Sequence, residues 1–187
     1  MELNKNWFLE INSLAGHNHI LDKIMIFSAK GIPFIFALML IYLWFSNRKN
    51  ESLFVVHSVI IGLIISTILH IIYFHPRPFM EHLGTLLIHH KADTSFPSDH
   101  TTLSFSVAFM LLMFQSTRKF GIVAIILAIL CGIGRIYTGV HWPFDVIGGI
   151  VVGFIASSLV LFLKSRLQYF NDYVIDMWDK LNYGNNS

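Results

Sequence analysis

The sequence predicts an all-α polytopic transmembrane helical bundle of about five spans with interfacial helices beside them. Three observations carry this expectation. Hydrophobic residues make up 55% of the chain and charged residues 13%, where a soluble domain holds roughly 25% charged. The apolar residues gather into runs that suit a hydrocarbon core of ~30 Å, which takes ~20 helical residues to cross. Short basic turns separate those runs. A length of 187 residues fits one membrane-embedded domain, 1–187. The net charge of +2, with Lys and Arg scattered among apolar runs, argues against a nucleic-acid partner and leaves membrane lipids as the surroundings.

Residues 1–20 are mildly amphipathic, with Trp7, Phe8, Ile11 and Leu14 at helical spacing, and predict a helix lying in the membrane interface. The start, Met1-Glu2-Leu3-Asn4-Lys5, lacks the charged head and apolar run of a cleavable signal, so targeting is expected from the first span. A transmembrane core over 21–163 follows. Its first span is Leu21 to Phe45, with Pro33 predicting a kink and Lys30 placing a cation in the apolar run. After the basic turn at Arg48-Lys49 comes a second span, Leu53 to Phe74.

The segment from His75 to Asp99 is too long and polar for a turn and could gate lateral entry of a lipid. Phe79, Met80, Leu83, Leu86 and Leu87 recur in it at helical spacing, which predicts an interfacial helix with His82, His89 and His90 on its polar side. A third span covers Thr101 to Phe114, a fourth Phe120 to Arg135, and a fifth runs from Pro143 to Leu163. Over 165–187, Leu167, Phe170, Val174, Trp178 and Leu181 form one face of an amphipathic cytoplasmic tail helix, fraying from Gly184 to Ser187. Cys131 sits in an apolar run as a buried, inert thiol, and His57 reads as a helix-packing residue.

With five spans, Arg48/Lys49, Arg118/Lys119 and Lys164/Arg166 fall on one side, which the positive-inside rule makes cytoplasmic. Arg77, His100, Arg135, His141 and Asp145 then share the opposite face.

These polar residues belong to three clusters. In His75-Pro76-Arg77-Pro78, two prolines fix a guanidinium in a non-helical segment, a geometry suited to bidentate phosphate binding. In Phe96-Pro97-Ser98-Asp99-His100, Ser98 or Asp99 caps a helix whose free N–H groups attract anions, and His100 in the first turn can pass a proton to a leaving oxygen. In the third, Arg135 is followed at fixed spacing by His141 and Asp145. Asp145 can hold the imidazole tautomer that leaves the other ring nitrogen free to attack phosphorus, and Arg135 can clamp phosphoryl oxygens. Singly, each cluster has a plainer reading: an arginine on lipid headgroups, a capped helix start, an ion pair stapling two helices. No acidic or thiolate partner stands at ligand spacing from His75, His82, His89 and His90, so no metal site is expected.

Over residues 70–145 the clusters resemble the three motifs of the type 2 phosphatidic acid phosphatase (PAP2) superfamily: Lys-x6-Arg-Pro, Pro-Ser-Gly-His and Ser-Arg-x5-His-x3-Asp. The resemblance implies a PAP2-like fold in which His141 is the nucleophile and forms a phosphohistidine. Asp145 orients it, His100 protonates the leaving group, and Arg77, Ser98, Asp99 and Arg135 make the phosphate-binding set, without metal or cofactor. Three positions depart from the pattern: His70 replaces lysine, Asp99 replaces glycine and Gly134 replaces serine. His70, or Lys30 from the first span, could supply the absent cation.

Phe-Pro-Ser-Asp-His-Thr-Thr and Tyr-Phe-x-Pro-Arg-Pro-Phe look most like the bacitracin-resistance type of undecaprenyl-diphosphate phosphatase. The implied function is hydrolysis of a polyprenyl diphosphate lipid, undecaprenyl diphosphate, at the outer face of a bacterial plasma membrane. Alternatives are a phosphatase for phosphatidic acid or phosphatidylglycerophosphate, a small membrane transporter, or a lipid-binding protein without turnover.

Overall fold

The computed structural model describes residues 2–183, and the tail expected to fray, Gly184 to Ser187, lies outside them. Helix α1 spans Glu2–Asn12, α2 His19–Phe45 and α3 Lys49–Ile72, followed by α4 Asp99–Met113, α5 Arg118–Tyr137, α6 Pro143–Phe162 and α7 Lys164–Tyr183. Local chemistry sets several of these starts. The Asn18 side chain accepts from the N–H groups of Ile20 and Leu21 and caps α2, which continues through Pro33. Pro143 opens α6, where its missing N–H loses no bond.

Four helices are long and apolar enough to cross a membrane: α2, α3, α5 with the turn before it, and α6. Their outward faces carry bare apolar side chains, such as Phe34, Ile71 and Phe162, as lipid-facing helices do. The chain is an integral membrane protein. The third of the expected spans is different. At 15 residues, α4 reaches only about 22 Å at 1.5 Å per residue, and it is wrapped by α2, α3, α5 and α6. Its Phe105, Met110 and Leu111 join Phe36, Phe54 and Val160 in the main apolar core. At Gly149 of α6 a Cβ would lie 2.9 Å from the Ser98 carbonyl oxygen, so glycine is what brings α6 against the start of α4.

The short α2–α3 and α4–α5 links, together with the start of α7, carry Arg48, Lys49, Arg118, Lys119, Lys164 and Arg166 at one end of the bundle. At the other end the last turns of α3 meet the start of α4, where Ser66 Oγ donates to Asp99 Oδ1 at 2.5 Å. The start of α6 joins them there through the Ser98 N–H, which donates to the Asp145 carbonyl at 3.1 Å.

One sequence expectation needs correction. No α-helix forms between His75 and Asp99: a single 3-10 turn, Pro78–Glu81, ends at His82, which has φ 56°, and Gly84 has φ 70°. The segment is stitched down instead. The His75 N–H donates to Thr94 Oγ1 at 3.0 Å, and the buried Asn12 amide bonds both Thr85 and the Tyr137 carbonyl. On α1 the inward stripe is Asn4, Phe8 and Asn12, while Trp7 and Leu14 face out. On α7 the buried residue is Asn171, which bonds His57 and Asn50, while Phe170 and Leu181 are exposed. Cys131 is buried.

Candidate active site

A cavity of about 300 Å³ opens at the end of the bundle away from the basic turns, with Arg77, His100, Arg135 and His141 in its wall. Each arrives on a different piece of the chain: the segment after α3, the first turn of α4, the last turn of α5, and the α5–α6 link. Asp145 stands just behind. It lies in the first turn of α6, where its Oδ2 accepts the Trp142 N–H at 2.8 Å and caps its own helix.

His141 is 2% exposed. Its Nε2 is 3.1 Å from Arg77 Nη1, and its Nδ1 is 3.4 Å from Asp145 Oδ2 and 3.4 Å from Ser95 Oγ. A guanidinium only donates, so Nε2 must accept, and the proton sits on Nδ1, facing Asp145. Burial, reinforced by the charges of Arg135 and Arg77 and opposed by Asp145, pushes His141 down to about 3. The ring is therefore neutral, with an unprotonated Nε2 that accepts from Arg77 at the cavity wall, the protonation state a nucleophilic imidazole requires.

The two arginines are prepared differently. Arg77 is held on several sides: Nε donates to Asp93 Oδ1 at 2.8 Å, Nη1 to the Val140 carbonyl at 2.9 Å, and Nη2 to the Thr94 carbonyl at 2.9 Å. Arg135 is 2% exposed, and its Nε and Nη2 have no hydrogen-bond partner among the described residues. A buried guanidinium with idle donors is costly unless an anion completes it.

The other expected residues divide. His70 and Asp99 line the cavity, with His70 Nε2 2.9 Å from the Pro97 carbonyl and 3.9 Å from Asp99 Oδ1. The Ser98 hydroxyl is fully buried outside the cavity lining and caps α4, accepting from Thr101 N–H at 3.4 Å and Thr101 Oγ1 at 3.0 Å. The helix start also offers an anion the N–H pair of Asp99 and His100, which precedes the first intrahelical bond. Lys30 is exposed on α2, outside the cavity lining.

Residues that were given no role at the site from the sequence also take part. Asp93 and His90 line the cavity, and burial with the nearby Arg77 charge pushes His90 below the usual histidine range. The Ser95 hydroxyl donates to Asp145 Oδ2. His75 Nδ1 lies 3.3 Å from Asp145 Oδ1. The polar run Asp93-Thr94-Ser95 was the one visible hint. Among the described residues, no three His, Cys, Asp or Glu side chains are grouped to hold a metal ion.

The PAP2 superfamily model matches residues 51–168, a stretch that includes every motif residue at this cavity. The chain belongs to the PAP2 superfamily. Undecaprenyl-diphosphatase BcrC of Bacillus subtilis (strain 168) is 36% identical over 96% of this chain and 93% of its own length. The bacitracin transport permease protein BcrC of Bacillus licheniformis is 31% identical over 96% of this chain and 89% of its own. The crystal structure of Aquifex aeolicus LpxE superposes with a TM-score of 0.73 at 28% identity, covering 85% of this chain and 94% of that one.

Against the PAP2 pattern, the serine missing at Gly134 has a steric reason. A Cβ there would sit 2.9 Å from both the Ala29 nitrogen and the Met25 carbonyl oxygen, so α2 packs where a side chain would stand. The aspartate at 99 is accommodated by Ser66 and by proximity to His70, the residue in the lysine position of the PAP2 pattern.

Proposed function

We propose that this PAP2 chain hydrolyses undecaprenyl diphosphate to undecaprenyl phosphate and phosphate at the outer face of the bacterial plasma membrane. The observation that carries the reading is Arg135, buried with unpartnered N–H groups in the same cavity wall as His100 and the neutral His141. A terminal phosphoryl group satisfies those donors. It also meets Arg77 and the N–H pair at the start of α4, so its charge is met where it spreads in the transition state.

His141 Nε2 then attacks phosphorus in line, and the bond to the bridging oxygen breaks. His100, which binds a proton once the phosphate anion lies beside it, gives that proton to the bridging oxygen as the lipid monophosphate departs and is left neutral. The positive charge left on the His141 ring is stabilised by Asp145 through Nδ1. Water, its proton taken by His100, cleaves the phosphohistidine and returns the site. The substrate follows from the relatives named undecaprenyl-diphosphatase. The orientation is supported by the basic residues at the opposite end of the bundle. Within the same reading, 1–20 serves as an interfacial element and 165–187 as a cytoplasmic tail.

One relative bears a transport name. The charged groups of the cavity gather at one end, while the centre of the bundle offers apolar side chains and uncharged hydroxyls, which favours hydrolysis over a charged path across the membrane. The test is phosphate release by purified protein in detergent with EDTA, offered undecaprenyl diphosphate and phosphatidic acid in parallel, with His141→Ala as control. Release from the diphosphate that vanishes in the variant is expected. Release from phosphatidic acid alone replaces the substrate, and no release from folded protein overturns the enzyme reading.

A further inference from the structure

The carboxylate of Asp145 is served unequally. Its Oδ2 accepts from the Ser95 hydroxyl and the Trp142 N–H, and it faces His141. Its Oδ1 is fully buried and has no hydrogen bond among the described residues. The group facing it is His75 Nδ1, 3.3 Å away, within ion-pair range though off line for a hydrogen bond. We propose that His75 is a positioning residue for the reaction above, holding the Asp145 carboxylate ionised and in plane from the side away from the phosphate. This rests on the reading that Asp145 serves a nucleophilic His141.

His75 is itself well fixed. Its ring stacks on Tyr73, with centroids 6.0 Å apart and planes at 12°, and leans on Trp142 at 6.2 Å. Its carbonyl accepts the Ser95 N–H at 2.7 Å, so the two side chains that flank the carboxylate, His75 and Ser95, are tied through one backbone bond.

The ring does not line the phosphate cavity. It lines two pockets on the other side of Asp145, of about 280 and 370 Å³, walled in part by α1. Its side chain is 26% exposed where that of Asp145 is 0%, so of the two it is the one open to solvent. The groups around it are Asp145 from α6, Glu81 from the 3-10 turn, Glu2 and Lys5 from α1, and the Tyr73 phenol. Asp145 chiefly, and Glu81 less, hold its pKa above the usual histidine value against partial burial. His75 therefore stays cationic to higher pH than a free histidine, and below that point its charge offsets the carboxylate.

The test measures kcat and KM for phosphate release from undecaprenyl diphosphate against pH for the full chain, His75→Phe and His75→Asn, with Asp145→Asn and His141→Ala alongside. His75→Phe is expected to lose between about tenfold and a hundredfold in kcat with KM within about twofold. Its turnover should also fail at a higher pH on the acid side. His75→Asn supplies a neutral donor, so it should recover most of kcat at its own optimum yet keep the displaced acid limb, because the charge is gone. Wild-type kcat and acid limb in the histidine variants, or a loss confined to KM, overturns the proposal. Should His75→Phe not fold, the acid limb of His75→Asn decides alone. If Asp145→Asn or His141→Ala keeps full turnover, it is the underlying reading that fails. If both lose turnover while the His75 variants do not, only the role of His75 fails.

Discussion

Arg135 and Arg77 show two ways of readying a guanidinium. Arg77 is braced by Asp93, Thr94 and Val140 before any ligand arrives, whereas Arg135 waits with idle donors. Replacing Arg135 by lysine keeps the charge and loses the planar fork. Arg135→Lys is expected to cost about 10²–10³ in kcat, read by steady-state kinetics on protein with an unchanged melting profile. His141 makes a stability prediction. It titrates near 6.5 when unfolded and at about 3 when folded, so between those values the unfolded chain holds the extra proton. Stability then rises with pH across that window and is lost on acidification. Melting temperature in detergent should drop from pH 7 to 5, and His141→Gln should flatten part of that slope.

At the scale of elements, the contact of α6 with α4 is the most exacting. Gly149→Ala would push a methyl to 2.9 Å from the Ser98 carbonyl oxygen. A loss of about 1–3 kcal/mol is expected from such overpacking, with turnover falling alongside because Asp99 and His100 follow Ser98; denaturation in detergent and a kinetic assay check both. Helices α2, α3, α5 and α6 were legible because long apolar runs leave little choice of structure in a membrane, and the α4 and α6 starts because Ser98 and Pro143 are local signals. The segment before α4 was not legible. Phe79, Met80, Leu83, Leu86 and Leu87 repeat like a helix, yet Leu83 packs on the cluster of Phe8 and Trp142, and the backbone turns at His82 and Gly84. What shapes it are bonds across the chain, from Asn12 to Thr85 and from Trp142 to the Pro76 carbonyl, which no local pattern announces. Arg77, His100, Arg135 and His141, picked out in the sequence by their local motifs, come together in one cavity wall with Asp145 beside His141. Ser95 went unnoticed, and His75 was named without a role, because a serine and a histidine in a polar loop look ordinary until folding sets them beside a carboxylate.

At the scale of the molecule, the two ends of the bundle are built differently. One is latched by α7, through Asn171 to His57 and Asn50 and through Lys49 to Asp179; the other holds the cavity. Between them α4 is short and carries Thr102, Ser104 and Ser106 hydroxyls without partners among the described residues. A segment of that kind is a poor candidate to enter lipid unaided. During synthesis α4 should therefore linger outside the hydrocarbon until α5 and α6 emerge to shield it. A chain truncated after Phe114 is expected to leave α4 open to water-soluble thiol reagents at an introduced cysteine, and one extended through α6 to protect it. The membrane is then spared a half-built phosphate trap: the helix that presents His100 is recruited only when the one bearing Asp145 is there to receive it.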